Sequence, residues 1–506
     1  MSTPSLLLPG LWAVAVLFLT GFASLHGQEA SPAETPQAAE PASAPPEKPA
    51  PEGASKGKGG LPWEEKGKAP DATALLPVKG AKDILERYNI TESELTKFFA
   101  GEPLDADEEG VLLKILYHIP QFGLPWMESW RVKDLSLDNL VLHAKDHQLD
   151  VIPLKGRVKH VSKKTLLPEL LDQYEFTHYY VAEVNLDESE YIAEIHARTI
   201  PGSWKLDTPM DEPVGVDGLF LKVGGSHDDS TEPRLIFAAG RMRWYPDKES
   251  KELHISTDQI LLTQLGVDWG QYEDVKKSNR QGILESDRES FYQFLAAVKS
   301  EQGQKLTSTT NAVSVPTLLN TPQEVQGSVF PFQAVVRRIT KVEVEDADIK
   351  ERFHIDHYYQ LDCFLPLGER RLRLGDSPED YVEYNNGFPS TLCVLELPPD
   401  LSPSENIREE IRVEAFFFKT WSFRSEYTAH LNIPQPAPMF IAFRPQAVLS
   451  EKSAFHPGDY IVGIAYRTDA SLVLACFSGD PYSPSSAAAF RSGAKSTDNP
   501  DFSQLK

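Results

Sequence analysis

Four short segments of this chain occur twice, in the same order. The second copies follow the first by about 178 to 205 residues, and the offset grows along the chain as insertions lengthen the loops. The paired segments are PLKGRVKHV at 153–161 and PFQAVVRRI at 331–339, HYY at 178–180 and 357–359, VGVDGLFLKV at 214–223 and IRVEAFFFKT at 411–420, and EPRLIFAA at 232–239 and APMFIAFR at 437–444. One such match could arise by chance, but four in order indicate an internal duplication.

Each copy begins with predicted helices. In DADEEGVLLKILY (105–117) and ESDRESFYQFLAA (285–297), apolar residues recur at helical spacing after an acidic start. A shorter helical stretch precedes each of these segments, and Gly266 is the stop signal of the second short stretch. Capping boxes are predicted at Thr91–Glu94, Asp105–Glu108, Ser256–Gln259 and Ser286–Glu289.

Strand signals follow the helices. In the first copy, segments rich in β-branched and aromatic residues lie at 154–161, 179–186, 191–197, 214–223 and 235–244. Gly156 and Gly218 fall inside the first and fourth segments, where a small barrel bends sharply. The pattern predicts an α+β protein of tandem duplicated units, each a few short helices followed by a five-stranded antiparallel β-barrel. The barrel is expected to be OB-like, with an SH3-like barrel or a small sandwich as alternatives.

The first 77 residues predict export. Residues 6–23 are almost wholly apolar and no charge precedes Glu29, which is typical of a signal peptide covering 1–27. The segment before the apolar run has no Lys or Arg, so an uncleaved N-terminal membrane anchor is the alternative. Residues 28–77 are rich in Pro, Ala, Glu and Lys and are predicted to form a disordered spacer.

The rest of the chain divides into three predicted parts. Unit 1 covers 78–248 and unit 2 covers 249–448, each with helices followed by a barrel. In the tail, 449–506, two apolar runs between 460 and 477 are separated by Arg467 and Asp469. Two central charges oppose a membrane span, so a β-hairpin is favoured there.

Charge and cysteine content restrict the function. The chain has 50 Lys and Arg against 74 Asp and Glu, a formal charge of −24, which repels phosphate backbones and excludes nucleic acid as an expected partner. Three cysteines do not form a disulfide framework. Cys363 and Cys393 are expected to be buried thiols, with one bridge between neighbouring strands as the alternative.

The duplicated His-Tyr-Tyr motif is the best candidate for a binding site. OB-type barrels bind oligonucleotides and glycans on the face of strands two and three. Adjacent residues of a strand point to opposite faces, so one tyrosine of each pair is expected in the core. The candidate binding residues are His178, Tyr179, Tyr180, His357, Tyr358 and Tyr359.

Motifs for catalysis, cofactors and metals are not evident in the sequence. His143 and His147 are spaced like helical metal ligands, but the glutamate of a metalloprotease motif is missing. Strand alternation places His354 and Asp356 on one face and His357 on the other, so HIDH is not expected to converge on one ligand. DADEEG lacks the final glutamate of a calcium loop. We therefore predict no metal, no cofactor and no catalytic residue.

The chain resembles a set of exported, uncharacterised proteins of planctomycete-type bacteria. The resemblance rests on PVGVDGLFLKV followed by RLIFAAGRMRWYP, on the repetition of that pair, and on the ending NPDFSQL. It implies the same duplicated helix-plus-barrel units and an exported protein. It implies no catalytic residues.

These features lead to one hypothesis and two alternatives. The expected function is non-catalytic binding or scaffolding in the periplasm or cell envelope, with two barrels docking a protein or glycan partner. Membrane association through the N-terminal apolar segment is compatible with it. The first alternative is a hydrolase with a site between the two units, and the second is a structural subunit of a membrane assembly.

Overall fold

A computed structural model describes residues 78–225, 234–308, 313–375 and 380–448, and the backbone of two further strands, Ile464–Thr468 and Ser471–Ala475. The predicted signal peptide (1–27), the spacer (28–77) and most of the tail lie outside the described residues. No helix among the described residues is long and apolar enough to cross a membrane.

Helices precede both sheets and also connect some of the strands. The α-helices are α1 (Ala81–Arg87), α2 (Glu92–Leu95), α3 (Ala106–His118), α4 (Leu124–Ser129), α5 (Leu137–Leu142), α6 (Pro168–Leu171), α7 (Thr257–Gln264), α8 (Trp269–Lys277), α9 (Arg288–Lys299), α10 (Val315–Asn320), α11 (Pro322–Val325), α12 (Ala347–Phe353) and α13 (Glu426–Ala429). Short 3-10 turns lie at Ile119–Gln121, Glu285–Asp287 and Gly303–Lys305.

The strands fall into two groups of six, with two short hairpins. The first group is β1 (Val151–Thr165), β2 (His178–Leu186), β3 (Ile192–Thr199), β4 (Glu212–Gly224), β5 (Arg234–Arg241) and β6 (Arg243–Trp244). The others are β7 (Val329–Glu343), β8 (His357–Pro366), β9 (Leu372–Leu374), β10 (Val382–Tyr384), β11 (Gly387–Val394), β12 (Glu409–Phe423), β13 (Gln435–Ala442), β14 (Gln446–Ala447), β15 (Ile464–Thr468) and β16 (Ser471–Ala475). Strands β9 and β10 pair with each other, as do β15 and β16.

Both six-stranded sheets have the same order of pairings. In the first sheet β1 pairs with β2, β2 with β3, β3 with β5, β5 with β4 and β4 with β1, while β6 lies beside β4. In the second sheet β7, β8, β11, β13 and β12 follow the same circuit, and β14 lies beside β12. The third and fifth members are parallel in each sheet and the other pairs are antiparallel.

The predicted α+β class and the predicted strand positions are confirmed, but the prediction of five antiparallel strands is wrong. Each sheet has six strands and includes a parallel pair. Alternation and turn signals locate a strand in the sequence, whereas its partner depends on contacts between distant segments. The sixth strand has two residues, too few for an alternation pattern.

Irregularities also recur at matching positions. The β1–β2 register shifts at Lys159 and the β7–β8 register shifts at Arg337. The β4–β5 register shifts at Leu221, and the β12–β13 register shifts at Phe418. A β-bulge bends a strand locally and re-aims the side chains beside it. The two sheets therefore share bends as well as pairings.

Three apolar cores hold these elements together. One core lies between α1–α4 and the outer face of the first sheet and contains Leu219 and Leu221. A second core includes Phe220 of the first sheet together with Phe416 and Phe418 of the second, and α8 and α9 pack into it. The third lies within the second sheet. The phenylalanine run of β12 is thus part of the buried packing.

Two of the four predicted capping boxes are confirmed, at Asp105–Glu108 and Ser256–Gln259. The other two are wrong for identifiable reasons. Glu94 bonds Lys97 and Lys114 instead of its own helix start. In the second unit, the turn that begins α9 is capped by the Asp287 carboxylate, which accepts the backbone N–H of Leu284 at 2.9 Å.

The two described cysteines are free and buried. Cys363 belongs to the core within the second sheet and Cys393 to the core shared with the helices. The alternative of a bridge between them is therefore wrong. Burial raises the pKa of both thiols, which keeps them protonated at neutral pH.

Candidate functional site

The His-Tyr-Tyr motif begins the second strand of each sheet. Strand alternation sends the middle tyrosine toward the helices, and Tyr179 and Tyr358 are 1% and 0% exposed. The Tyr179 hydroxyl donates to the Glu109 carboxylate at 2.8 Å, and burial raises the pKa of this tyrosine. Tyr358 packs edge-on against Phe291 at 5.3 Å. These two tyrosines are core residues.

The other two residues of each motif are partly exposed and form matching aromatic pairs. The rings of His178 and Tyr180 are 5.2 Å apart and nearly perpendicular, at 88°. The rings of His357 and Tyr359 are 5.3 Å apart, also at 88°. His178 Nε2 and the Tyr180 hydroxyl are 3.1 Å apart, within hydrogen-bond distance. The duplication therefore places the same perpendicular His–Tyr pair on each sheet.

Each His–Tyr pair lines a surface cleft. The first cleft has a volume of about 390 Å³ and lies between the start of β2 and the residues at and after the end of β3. The second has a volume of about 400 Å³ and lies between the start of β8 and the chain that follows β11. In the strand register, Tyr180 faces Ala197 and Tyr359 faces Val394. The clefts therefore occupy equivalent places in the two sheets.

The linings of the two clefts differ beyond the shared pair. Arg198 follows Ala197 in the first cleft, and Leu395 follows Val394 at the same position of the second. The first cleft also contains Phe176, whereas prolines 398, 399 and 403 line the second. Burial, with the nearby charges of Lys163 and Arg198, lowers the pKa of His178, so this imidazole is neutral at pH 7.

Sequence reasoning missed Arg198. The signal that could have found it is the alignment of HARTIP (196–201) with CVLELP (393–398), in which the final prolines coincide. That match is too short to see without the strand register. The register also shows that the arginine of one unit is a leucine in the other.

The two histidine-rich motifs form no site. His147 Nδ1 lies 2.8 Å from Asp150, and His143 lies beyond the C-terminal end of α5. His354 ends α12 with a positive φ of 52°, and strand β8 begins only at His357. The predicted strand face shared by His354 and Asp356 is therefore wrong. Among the residues described, no three His, Cys, Asp or Glu side chains are placed to hold a metal ion.

A polar cluster is specific to the first unit. His196 Nε2 lies 2.9 Å from Glu194, and the His196 ring lies 5.8 Å from that of Tyr179. Lys164 Nζ lies 2.9 Å from Glu109, which also accepts the Tyr179 hydroxyl. Burial raises the pKa of Glu109, but the hydrogen bonds from Lys164 and Tyr179 outweigh it and lower the pKa overall.

In the second unit, the register places Thr391 and Cys393 where the first has Glu194 and His196. The hydrolase alternative expects polar residues that belong to one unit only and gather in a cleft. This cluster meets the first condition, but it lines neither of the two clefts described above. Its hydrogen bonds instead fix α3 on the outer face of the first sheet.

Charged residues also connect the helices of the two units. Arg352 of α12 lies 2.7 Å from Glu289 of α9 and 2.8 Å from Asp348. It also approaches Glu128 of α4 at 3.8 Å, and Glu128 lies 3.1 Å from Arg131. Each of these side chains has an oppositely charged neighbour, so the network is suited to fixing the helices rather than to activating a nucleophile.

No protein-family model matches the chain, and no curated protein matches it. Among solved structures, a protein assigned as an aspartyl-tRNA synthetase from Leishmania major Friedlin is similar at 11% identity over 45% of this chain and 46% of that chain, with a TM-score of 0.16. An aspartyl-tRNA synthetase from Entamoeba histolytica is similar at 13% identity over 47% of this chain and 51% of that chain, also with a TM-score of 0.16. The matched part spans about half the length of each, and so small a TM-score carries no functional conclusion.

Proposed function

We propose that this protein is a non-catalytic binding or scaffolding protein of the cell envelope. Two OB-like barrels each present a His–Tyr cleft to a protein or glycan partner. The observation that carries the proposal is the recurrence of the same perpendicular His–Tyr pair, in the same kind of cleft, at the same place in both sheets.

The OB-like assignment is supported by the order of strand pairings. In each sheet, the pairings pass from the first strand through the second, third, fifth and fourth and return to the first. A sheet whose pairings return to their start has no free edge along that circuit. Gly156 supports the same interpretation, because a Cβ there would lie 2.2 Å from the Asn185 carbonyl oxygen of the neighbouring strand. The matched bulges support a common origin of the two units.

A binding role is favoured over a hydrolase for a specific reason. The second cleft is lined mainly by leucines and prolines beside its His–Tyr pair. The first combines Phe176, Ile200 and its own His–Tyr pair with four polar or charged residues, Glu175, Thr177, Arg198 and Thr199. Ligand sites use such linings with a small number of polar groups for orientation. In the unit-specific polar cluster, His196, Glu194 and Tyr179 are buried, and the members bond one another.

Envelope localisation is part of the proposal and rests on the sequence alone. The apolar N-terminal segment followed by a proline-rich stretch is typical of an exported protein that holds its folded part away from a surface. Attachment to the membrane through that apolar segment is compatible with the same function.

The test uses the full chain in its native host. Wild-type protein and the Tyr180→Ala/Tyr359→Ala double variant are cross-linked in intact cells, and the captured proteins and polysaccharides are identified and quantified. We expect the double variant to lose at least about 10-fold in capture of the main partner, because aromatic anchors dominate such contacts.

Tyr88→Ala is the matched control. Tyr88 is exposed and stacks on His118 at 3.8 Å, but it lines neither cleft. Its removal is expected to leave capture unchanged. Full capture by a folded double variant, with circular dichroism equal to wild type, would overturn the proposal. Comparison of the two single variants then shows whether each cleft binds alone.

A further inference from the structure

The first cleft contains an arginine, Arg198, that forms no ion pair with any of the described residues. The Arg198 guanidinium carbon lies 3.6 Å from the centre of the Phe176 ring, so the ring covers one face of the guanidinium. Its Nε is buried and has no hydrogen-bond partner, and no described residue forms an ion pair with this side chain. Burial lowers the pKa of Arg198. An arginine nevertheless remains charged at neutral pH.

A partly buried charge without a partner is costly, and the guanidinium of Arg198 is held in place by stacking on Phe176. A guanidinium has donors along its edge that match the two oxygens of a carboxylate. With one face covered by Phe176, the edge of Arg198 is the part that remains for a ligand. The arrangement thus suits an oxyanion, and a carboxylate suits it best because its two oxygens accept two parallel hydrogen bonds from the guanidinium.

The surrounding residues indicate which molecule carries that oxyanion. β2 lies between β1 and β3, and β3 lies between β2 and β5, so both strands that border the cleft already have neighbours on each side. A peptide therefore cannot bind there by adding a strand. A sugar needs no strand edge, because its hydroxyl groups and ring faces contact side chains, and the Tyr180 and Thr177 hydroxyls line the same cleft.

We infer that the first cleft binds the carboxylate of an acidic sugar through Arg198, beside the His178–Tyr180 pair. This inference rests on the proposed function and extends it to a substrate class. Leu395 stands in place of the arginine in the second cleft, and no lysine or arginine is among the residues that line it. The second cleft therefore lacks this specificity, although its His–Tyr pair is the same.

One lining residue opposes an anion. Glu175 is exposed and belongs to the connection before β2, and no ion pair joins it to Arg198 within the described part of the chain. Its carboxylate repels an acidic ligand through solvent, so the repulsion is weak and sensitive to salt. Replacement of Glu175 by Gln is expected to strengthen binding of an acidic sugar slightly.

The experiment measures binding of trigalacturonate to the full chain by calorimetry. Its methyl ester, which keeps the sugar rings but removes the charge, is the ligand control. We expect Arg198→Leu to weaken trigalacturonate binding by about 10- to 100-fold, as for a lost hydrogen bond to a charged group. Arg198→Lys keeps the charge but loses the two-point geometry, and intermediate binding is expected.

Two further variants sharpen the test. Arg408→Leu removes an exposed arginine that lines neither cleft and is expected to leave binding unchanged. Leu395→Arg, introduced together with Arg198→Leu, is expected to restore acid binding at the second cleft. Equal binding of acid and ester, or an Arg198→Leu variant that is folded and binds normally, would overturn the inference. Binding of triglutamate as tight as that of trigalacturonate would overturn the assignment to sugars.

The outcomes separate this inference from the proposed function. If Tyr180→Ala/Tyr359→Ala abolishes partner capture while Arg198→Leu changes neither capture nor calorimetry, the binding function stands and the acidic-sugar specificity falls. If neither variant changes anything measured, both proposals fall.

Discussion

The ammonium group of Lys222 lies 2.6 Å from the carboxylate of Glu108, and both side chains are 2% exposed. The second unit repeats this pair, with Lys419 Nζ at 2.9 Å from Asp287. Both lysines directly follow a bulge, Lys222 in β4 and Lys419 in β12. Both acids accept the backbone N–H at the start of a helix, at 2.9 Å. A buried ion pair thus fixes each sheet to the helix packed on it.

Breaking either pair is expected to destabilise the protein strongly. Lys222→Met leaves the Glu108 carboxylate buried without its counter-charge, which costs about 3–5 kcal/mol in the free energy of unfolding. The Lys222→Met/Glu108→Gln double variant is expected to recover part of this loss, because it leaves no charge behind. Urea denaturation followed by circular dichroism measures both values.

Lys205→Met is the control for that experiment. Lys205 pairs with Glu252 at 3.3 Å, but the two side chains are 70% and 72% exposed, so the pair contributes little. A loss of less than about 1 kcal/mol in Lys222→Met would show that the buried pair is not what fixes helix and sheet.

Two glycines offer a test of the strand contact at β1. Gly156→Ala places a methyl group 2.2 Å from the Asn185 carbonyl oxygen, so the β1–β2 pair must separate. We expect a loss of about 1–3 kcal/mol in stability. Gly110 lies inside α3, with no atom near the place of a Cβ. Gly110→Ala should stabilise the protein by about 0.5–1 kcal/mol. We expect the midpoint temperature of thermal unfolding to fall in Gly156→Ala and to rise in Gly110→Ala.

Local patterns allowed much of the fold to be predicted. The strands carry β-branched and aromatic residues bounded by turn signals, so their positions follow from the sequence. The parallel pairing of β3 with β5 does not, because it joins segments with a whole strand and a long loop between them. The cap formed by Asp287 was not predicted, because its carboxylate accepts the backbone N–H of Leu284, and an apolar residue at that position gives no capping signal.

The candidate site was predictable in part for the same reason. His178 and His357 could be found because they belong to a repeated motif, and alternation indicated that one tyrosine of each motif is buried. Arg198 could not be found, because its role depends on the residues that line the cleft with it and on the lack of an ion pair to it among the described residues. Neither can be read from the sequence. A repeat draws attention to residues that the units share, whereas specificity depends on residues in which they differ.

Lys276 gives a prediction for the dependence of stability on pH. Burial lowers the pKa of Lys276 to about 8, and the negative charge of Glu273 offsets only part of this effect. The ammonium group of Lys276 lies 4.3 Å from the centre of the Trp269 ring. The unfolded chain retains this proton up to the ordinary value of 10.5. Between about pH 8 and 10.5 the unfolded state therefore binds more protons, and the contribution of Lys276 to stability rises with pH.

Lys276→Met should remove this rise. At pH 7 we expect the variant to be more stable than wild type by about 1–3 kcal/mol, since the cost of burying the charge is gone. Lys277→Met is the neighbouring control, because a hydrogen bond to Asp274 raises the pKa of Lys277. The measurement is the difference in unfolding free energy between variant and wild type from pH 7 to 10.5. A Lys276→Met variant with the wild-type pH profile would contradict the prediction.

Binding of an acidic sugar should itself depend on pH through His178. Burial lowers the pKa of this imidazole below its ordinary value of 6.5, and the charges of Lys163 and Arg198 lower it further. A carboxylate bound at Arg198 offsets both charges and raises the pKa of His178. Since the complex then holds a proton more tightly than the free protein, affinity increases as pH falls through this range.

Nuclear magnetic resonance of the His178 ring, with and without trigalacturonate, measures the pKa shift directly. His178→Asn should bind trigalacturonate with an affinity that no longer changes between pH 7 and 5.5. The methyl ester should leave the pKa of His178 unchanged, because it carries no charge. If the acid binds but the His178 titration stays where it was, the carboxylate is not beside this pair, and Arg198 holds some other part of the ligand.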